Sequence, residues 1–308
     1  MRKKVFVFFA LLAVAAVGLW MLPSQIALSK TAEINRPYQV LERNIIDLNA
    51  WENWWPGKRM ADSIFEYKGK QLHIDAVLLN GFQATAVDDR NVKYIFRALP
   101  LENKRVQINL TGIEVVSQGL LKKAKSYLHY FSYRNDINNW VDTVQDFFND
   151  TRRVYGIDIK QTMVTDSVLV ALKQNFPHNP SVKEVYDLIY ELKDYIAKQG
   201  GKEDNFPMVN IFREADTSYL VMVAIATGLP VTPTDRYLLK RMELGYILEG
   251  EVKGGMATVK QAESNLNNYA LDYSKTSIAI PYQLWVTNKI EEQDTTKWIT
   301  KLYYPILY

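Results

Sequence analysis

The chain has no cysteine and only three histidines among its 308 residues. The first absence excludes disulfides, thiolate nucleophiles, cysteine-ligated zinc and iron–sulfur clusters together. The three histidines, His73, His129 and His178, stand apart, with no HExxH or HxH spacing and no His/Asp cluster around them. Neither a metal centre nor a Ser-His-Asp triad is expected, no cofactor is assigned, and no residue is given a catalytic role. A preponderance of one charge is lacking too. The net charge is +3, and the basic residues are spread along the sequence without forming a run. Nucleic acid is therefore not an expected partner. What the composition does supply, 48% hydrophobic residues over a length beyond one average core, suits two folded domains.

Long apolar runs are absent except at the start. Arg2, Lys3 and Lys4 precede an uncharged stretch from Val5 to Leu22, which as a helix would measure about 27 Å, close to the thickness of a bilayer core. A cleaved signal usually has a shorter apolar core and a small-x-small site soon after it. Trp20, Met21, Leu22 and Pro23 stand in that place. Residues 1–23 are thus expected to be a single-pass transmembrane anchor, with a signal segment as the alternative. The basic tripeptide would stay cytoplasmic, leaving the rest on the extracytoplasmic, periplasmic side of the inner membrane.

Beyond Pro23, Ser24 to Ile34 alternates as a strand, and Pro37 opens a helix expected to reach about Leu48. Trp51, Trp54 and Trp55 share one helical face before Pro56-Gly57 ends it. From Ser63 to about Val116 the period is two, in five segments parted by Gly, Asp, Asn or Lys, which predicts an antiparallel meander. The stretch from Leu120 to Arg134, where Lys122, Lys123 and Lys125 stand beside Tyr127, Tyr130 and Tyr133, is read as a solvated strand edge guarded by lysines. A basic-aromatic membrane-surface patch is the alternative. Ile137, Trp140, Val141, Val144, Phe147 and Phe148 then form the stripe of a long helix.

The second half shows an internal repeat. Val182, Val185, Leu188, Ile189, Leu192 and Ile196 make a helix capped by Gly200-Gly201, followed by PMVNIF and YLVMVAIAT. About 75 residues later Val259, Ala262, Leu266, Tyr269 and Ala270 make another, followed by PYQLWV and WITKLYYPI. Each half reads strand, helix, two strands, and the groove between two such units is a natural ligand site.

The opening from Lys30 to Gly57, SKTAEINRPYQV and IIDLNAWENWWPG, resembles that of START-like, polyketide-cyclase-type (SRPBCC) domains, which implies a helix-grip fold for residues 24–154. Residues 155–308 resemble the gyrase-inhibitor-like effector-binding (AraC-type, GyrI-like) family through VYDLIYELKDYIAKQGG, FPMVNIFREAD, GYILEGEVKGG, IAIPYQLWVTN and the terminal LYYPI. The fold class is accordingly α+β: a helix-grip domain, then a duplicated strand-helix-strand-strand domain. In the second family a Pro-aromatic-Glu-x-Tyr strand turns its Glu toward cationic ligands. Here the matching residues are Pro281, Tyr282, Gln283, Leu284 and Trp285, so an amide replaces the carboxylate. The resemblance implies that Gln283, Trp285 and Tyr282 line a ligand site. An amide carries no charge and takes no proton near neutral pH, which favours neutral ligands and lowers a hydrolase reading. Since alternate residues of a strand face opposite sides, only one of the two aromatics shares a wall with Gln283, and Trp285, two residues on, is the better candidate.

The expected function is a membrane-anchored, non-catalytic protein that binds or senses apolar or neutral amphipathic small molecules. A cyclase- or hydrolase-type enzyme and a partner- or lipid-binding structural protein stay open as alternatives. No helix-turn-helix segment is left over to make a direct transcriptional regulator.

Overall fold

Period-two alternation builds the two sheets of the molecule. The computed structural model describes residues 11, 13, 14, 16–116, 119–165, 168–215, 218–228, 231–277 and 279–307, and the chain divides into two compact units, Met1–Asp150 and Thr151–Tyr308. Both are mixed α+β, each built on one antiparallel sheet. Residues 5–10, 12 and 15 of the expected anchor run Val5–Leu22 lie outside the described residues. Among the described residues no helix is long and apolar enough to cross a membrane.

In the first unit the strands are β1 (Gln25–Ile34), β2 (Lys58–Ala61), β3 (Ile64–Tyr67), β4 (Lys70–Leu78), β5 (Gly81–Ala86), β6 (Val92–Leu101) and β7 (Arg105–Val115). Their order is β1-β7-β6-β5-β4-β3-β2, a meander that β1 joins beside β7 from Gln25↔Val115 to Ile34↔Val106. The helices are α1 (Tyr38–Ile46), entered through Pro37, the single turn α2 (Trp51–Trp54), α3 (Leu120–Leu128) and α4 (Tyr130–Asn149). The sheet packs on α4, which buries Tyr133, Ile137, Trp140, Val141, Val144, Phe147 and Phe148, the spacing of one apolar face. The helix lies so close to β7 that a Cβ on Gly112 would collide with Tyr133 and Ile137. At its C-terminus the buried guanidinium of Arg36 donates to the carbonyls of Phe148 at 2.9 Å and Asn149 at 2.7 Å. These acceptors have no partner within the helix, and a cation there also meets the negative end of its dipole.

The lysine-rich stretch after β7 is not a strand edge. It forms α3 and the first turn of α4. LLKKAKSYL contains no β-branched residue and is dominated by strong helix formers, so local propensity overrides the strand pattern that precedes it.

The second unit contains α5 (Thr151–Tyr155), β8 (Ile159–Met163), β9 (Val168–Phe176), α6 (Val182–Lys198), β10 (Met208–Ala215), β11 (Ser218–Thr227), β12 (Leu238–Arg241), β13 (Tyr246–Lys253), α7 (Met256–Asp272), β14 (Tyr282–Trp285) and β15 (Ile299–Ile306). The eight strands are ordered β12-β9-β11-β10-β14-β15-β13-β8. Helix α6 starts in a reciprocal capping box between Ser181 and Glu184 and packs on β9 and β11, while α7 packs on β13 and β15.

The outer strands hold the key to this sheet. β8 pairs with β13 at Met163↔Tyr246, and β9 pairs with β12 at Val168↔Arg241. From one pair to the other both chains advance by five residues (168 − 163 and 246 − 241), so the two ladders share one register and belong to a single ribbon. In a flat sheet β8 and β9 would stand six strand spacings apart, about 29 Å. Five residues reach at most about 18 Å. The sheet must therefore curl until its opposite ends meet on that ribbon, with α6 and α7 outside and a hollow within.

Candidate functional site

Strand β14 divides the three residues singled out from the sequence between the two faces of this curled sheet. Tyr282 and Leu284 turn into the hollow; Gln283 and Trp285 turn toward the helices. Both facts follow from the pleat.

Inside the hollow, a small apolar cluster combines Leu169, Ala171, Met208, Ala224, Ala226 and Leu284, with Met242, Tyr282, Val286 and Tyr303 packed against it. Three of these inward positions are alanines. One of them, Ala224, borders a cavity of about 340 Å³, walled by Leu169, Met208, Met222, Met242, Ile280 and Tyr282, with Asn210, Lys240, Arg241 and Glu243 also in its lining. A further hollow of about 310 Å³ shares Val164, Met208, Met242 and Tyr282 with it. Tyr282 stacks on Tyr303 with ring centroids 5.0 Å apart. Burial, aided by Tyr303 and Glu249, raises the Tyr282 phenol above its ordinary value, so it stays neutral. The hollow offers polarizable, adaptable methionine surface and one flat ring, which suits an uncharged apolar guest.

On the helix face Trp285 and Gln283 are held by direct contacts within the protein. Trp285 is 1% exposed, packs on Tyr186 of α6 at 5.3 Å and donates its indole N–H to Gln283 Oε1 at 2.7 Å. Gln283 Nε2 donates in turn to Glu263 Oε1 of α7 at 2.9 Å. Both ends of the amide are thus engaged by the protein. The carboxylate missing from position 283 is supplied by the neighbouring helix, and Glu263 is held above its ordinary pKa by burial, opposed by Gln283, Lys289 and Lys260. Lys289 lies almost fully buried with its ammonium 3.9 Å from the Trp285 ring centroid and 5.6 Å from that of Trp298. Burial lowers its pKa to about 7, against a partial restoring effect of Glu263. A polar cavity of about 270 Å³ lies above this group, lined by Ile211, Arg213, Tyr219, Met256, Lys260, Glu263 and Gln283 among others.

Glu263 and Lys289 escaped the sequence reading. Glu263 carried a weak signal: it stands four after Val259 and three before Leu266, at the rim of the buried stripe of α7 and itself exposed, within reach of groups packed against that face. Lys289 carried no such signal, since it sits in the loop after β14 and its place over Trp285 is a matter of loop path alone.

In the first unit aromatic rings occupy the space between the sheet and the middle of α4, while a cavity of about 600 Å³ opens at the N-terminal end of that helix, lined by Lys68, Lys70, Glu114, His129, Tyr133 and Asp136 among others. Trp51 stacks on Trp55 at 5.5 Å and meets Trp54 at 5.1 Å, Phe65 at 5.3 Å and Phe82 at 4.6 Å, and Trp140 meets Trp55 edge-on at 4.7 Å. The three tryptophans are a packing plug. Their indole N–H groups are satisfied by the carbonyls of Ile45, Asn44 and Glu66. Among the described residues no group of three His, Asp or Glu side chains is arranged to hold a metal ion.

No protein-family model matches the chain, and no curated protein matches it. Solved structures similar to it include the C-terminal domain of EcmrR, at 12% identity and a TM-score of 0.43 over 49% of this chain and 97% of that one. SAV2435 bound to tetraphenylphosphonium is similar at 13% identity and a TM-score of 0.33, over 48% of this chain and 93% of that one. A hydrolase from Listeria innocua is similar at 12% identity and a TM-score of 0.36, over 48% and 91%. These neighbours include effector-binding-domain-type folds, matched at low identity and over part of the chain.

Proposed function

We propose that this chain is a non-catalytic small-molecule-binding protein whose second unit is a duplicated, gyrase-inhibitor-like effector-binding domain that takes an apolar or neutral amphipathic guest into the hollow of its curled sheet. The observation that carries this reading is the 340 Å³ cavity walled by Met208, Met222, Met242 and Tyr282, a volume at the lower end of the usual range for small-molecule pockets. The first unit, START-like by its sequence opening, has an aromatic plug at its centre and is not assigned the guest in this reading. The run from Val5 to Leu22 tethers both units to the extracytoplasmic side of the inner membrane.

Ala224 lines the cavity and provides the test. Detergent-purified full-length protein should release lipophilic molecules on organic extraction, identified by mass spectrometry, and should enhance the fluorescence of the neutral dye Nile red. Ala224→Phe, which fills the hollow, should weaken dye binding at least tenfold, about 1.4 kcal/mol. Excess tetraphenylphosphonium, a lipophilic cation, should displace the dye poorly. Unchanged dye affinity in Ala224→Phe, with the variant folded, would place the guest elsewhere.

A further inference from the structure

Helix α3 buries none of its side chains. Leu121 and Leu128 on it, and Phe131 in the first turn of α4, are 88%, 80% and 71% exposed. Steps of seven and three residues bring them to one side of the helical path, and Lys122 and Lys125 are exposed beside them. The third lysine turns the other way. Lys123 Nζ donates to the carbonyls of Trp20, at 3.0 Å, and Leu22, and the Tyr127 hydroxyl donates to the carbonyl of Pro23 at 2.9 Å. These three apolar side chains therefore lie open along α3 and the first turn of α4, and α3 is tied by three hydrogen bonds to residues 20–23 at the end of the uncharged run Val5–Leu22, where Trp20 and Met21 are themselves exposed.

We propose that α3, together with Phe131, docks in the headgroup region of an anionic phospholipid bilayer, lying along the membrane surface at the point where the chain leaves it. The proposal rests on the reading of Val5–Leu22 as a membrane anchor. A lipid occupant follows from three features. The tie to residues 20–23 holds α3 at the level where that run would meet the interface, and Trp20 is the residue type that settles at this depth. Leucine and phenylalanine protruding between lysines match a helix that sinks its apolar side chains below the phosphates. The ammonium groups of Lys122 and Lys125, on long apolar stems, reach back to the phosphates and favour an anionic surface.

The lack of cysteine permits single thiols without background. Full-length protein carrying Val14→Cys, Leu121→Cys, Leu128→Cys or, as a water-exposed reference, Lys198→Cys is nitroxide-labelled in vesicles of phosphatidylcholine and phosphatidylglycerol. Accessibility to oxygen relative to a water-soluble nickel chelate is then measured. The labels at 121 and 128 should show a several-fold higher ratio than the label at 198, and Lys122→Glu with Lys125→Glu should reduce that ratio. If Val14 is in lipid while 121 and 128 match 198, the anchor stands and the docking is overturned. Lipid contact at 121 and 128 without Val14 overturns the anchor, and with it the placement of α3 at the point where the chain leaves the membrane. If none of the three reaches lipid, both fail. All substituted α3 positions are exposed, so loss of fold does not confuse the result.

Discussion

In residues 24–150 seven strands pack on a helix, and the enclosed space is taken by Trp51, Trp54, Trp55, Phe65, Phe82 and Trp140. In residues 151–308 eight strands curl on themselves with the helices outside, and the hollow is lined by Ala224, Met208, Met222 and Met242. Both sheets are antiparallel and both alternate inward and outward side chains. The difference between a plug and a pocket lies in the volume of the inward-facing residues: indoles fill an interior to native density, whereas alanine at facing positions leaves room that only a guest takes up.

The largest test of that contrast is to open the aromatic plug of the first unit. Trp51→Ala removes a fully buried ring and should cost the first unit about 3–5 kcal/mol. Hydrogen exchange followed by mass spectrometry should show protection falling across residues 24–150 and unchanged across 151–308. Equal loss in both would mean that the two units unfold as one.

The helix face of the second unit gives the next effect, because it is held together at an electrostatic cost. Lys289 titrates at about 7 in the folded chain and near 10.4 when unfolded. Between these values the unfolded chain holds a proton that the folded chain has released, so stability rises with pH over that window, by at most about 1.4 kcal/mol per unit. Below pH 7 both states are protonated and the whole penalty stands. Lys289→Met keeps apolar packing on Trp285 and Trp298 and leaves Lys260 near Glu263. The variant should therefore be the more stable at pH 6, with the gap closing toward pH 10, as read from denaturant midpoints. A gap independent of pH would mean that the ammonium is not desolvated.

Filling the hollow should matter to binding and little to folding. If the space is empty, Ala224→Phe should cost less than about 1 kcal/mol, against about 1–3 for overpacking a filled core. Thermal melts of parent and variant decide between the two. The smallest effect is local: Ser181→Ala removes the capping box of α6 and should cost about 1 kcal/mol, with exchange accelerated in the first turn of that helix.

Much of this architecture was legible before any coordinates. The period-two segments between Ser63 and Val116 became β3 to β7, the stripe from Ile137 to Phe148 became the buried face of α4, and the Val185–Ile196 stripe became that of α6. These are local signals, since side-chain periodicity reports which face of an element is buried whatever it packs against. The same reasoning placed Trp285 on the side of Gln283 and Tyr282 opposite. It went astray at Leu120–Leu128, where a lysine-rich stretch following strands was read by its neighbours and not by its own helix-forming composition.

By itself, then, the sequence determined the elements, the alternation of their faces and the absence of cysteine and histidine chemistry, because each depends on residues near one another in the chain. Only the tertiary structure decided that β8–β9 and β12–β13 share one register and curl the second sheet around a hollow. It alone brought Glu263 to Gln283 and Lys289 over Trp285, and tied α3 to residues 20–23. Lys289 and Trp285 are only four residues apart, but their meeting depends on the path of the loop after β14; the other contacts join segments 20 to about 100 residues apart, and which groups meet is set by strand order and loop path, quantities that no local pattern encodes.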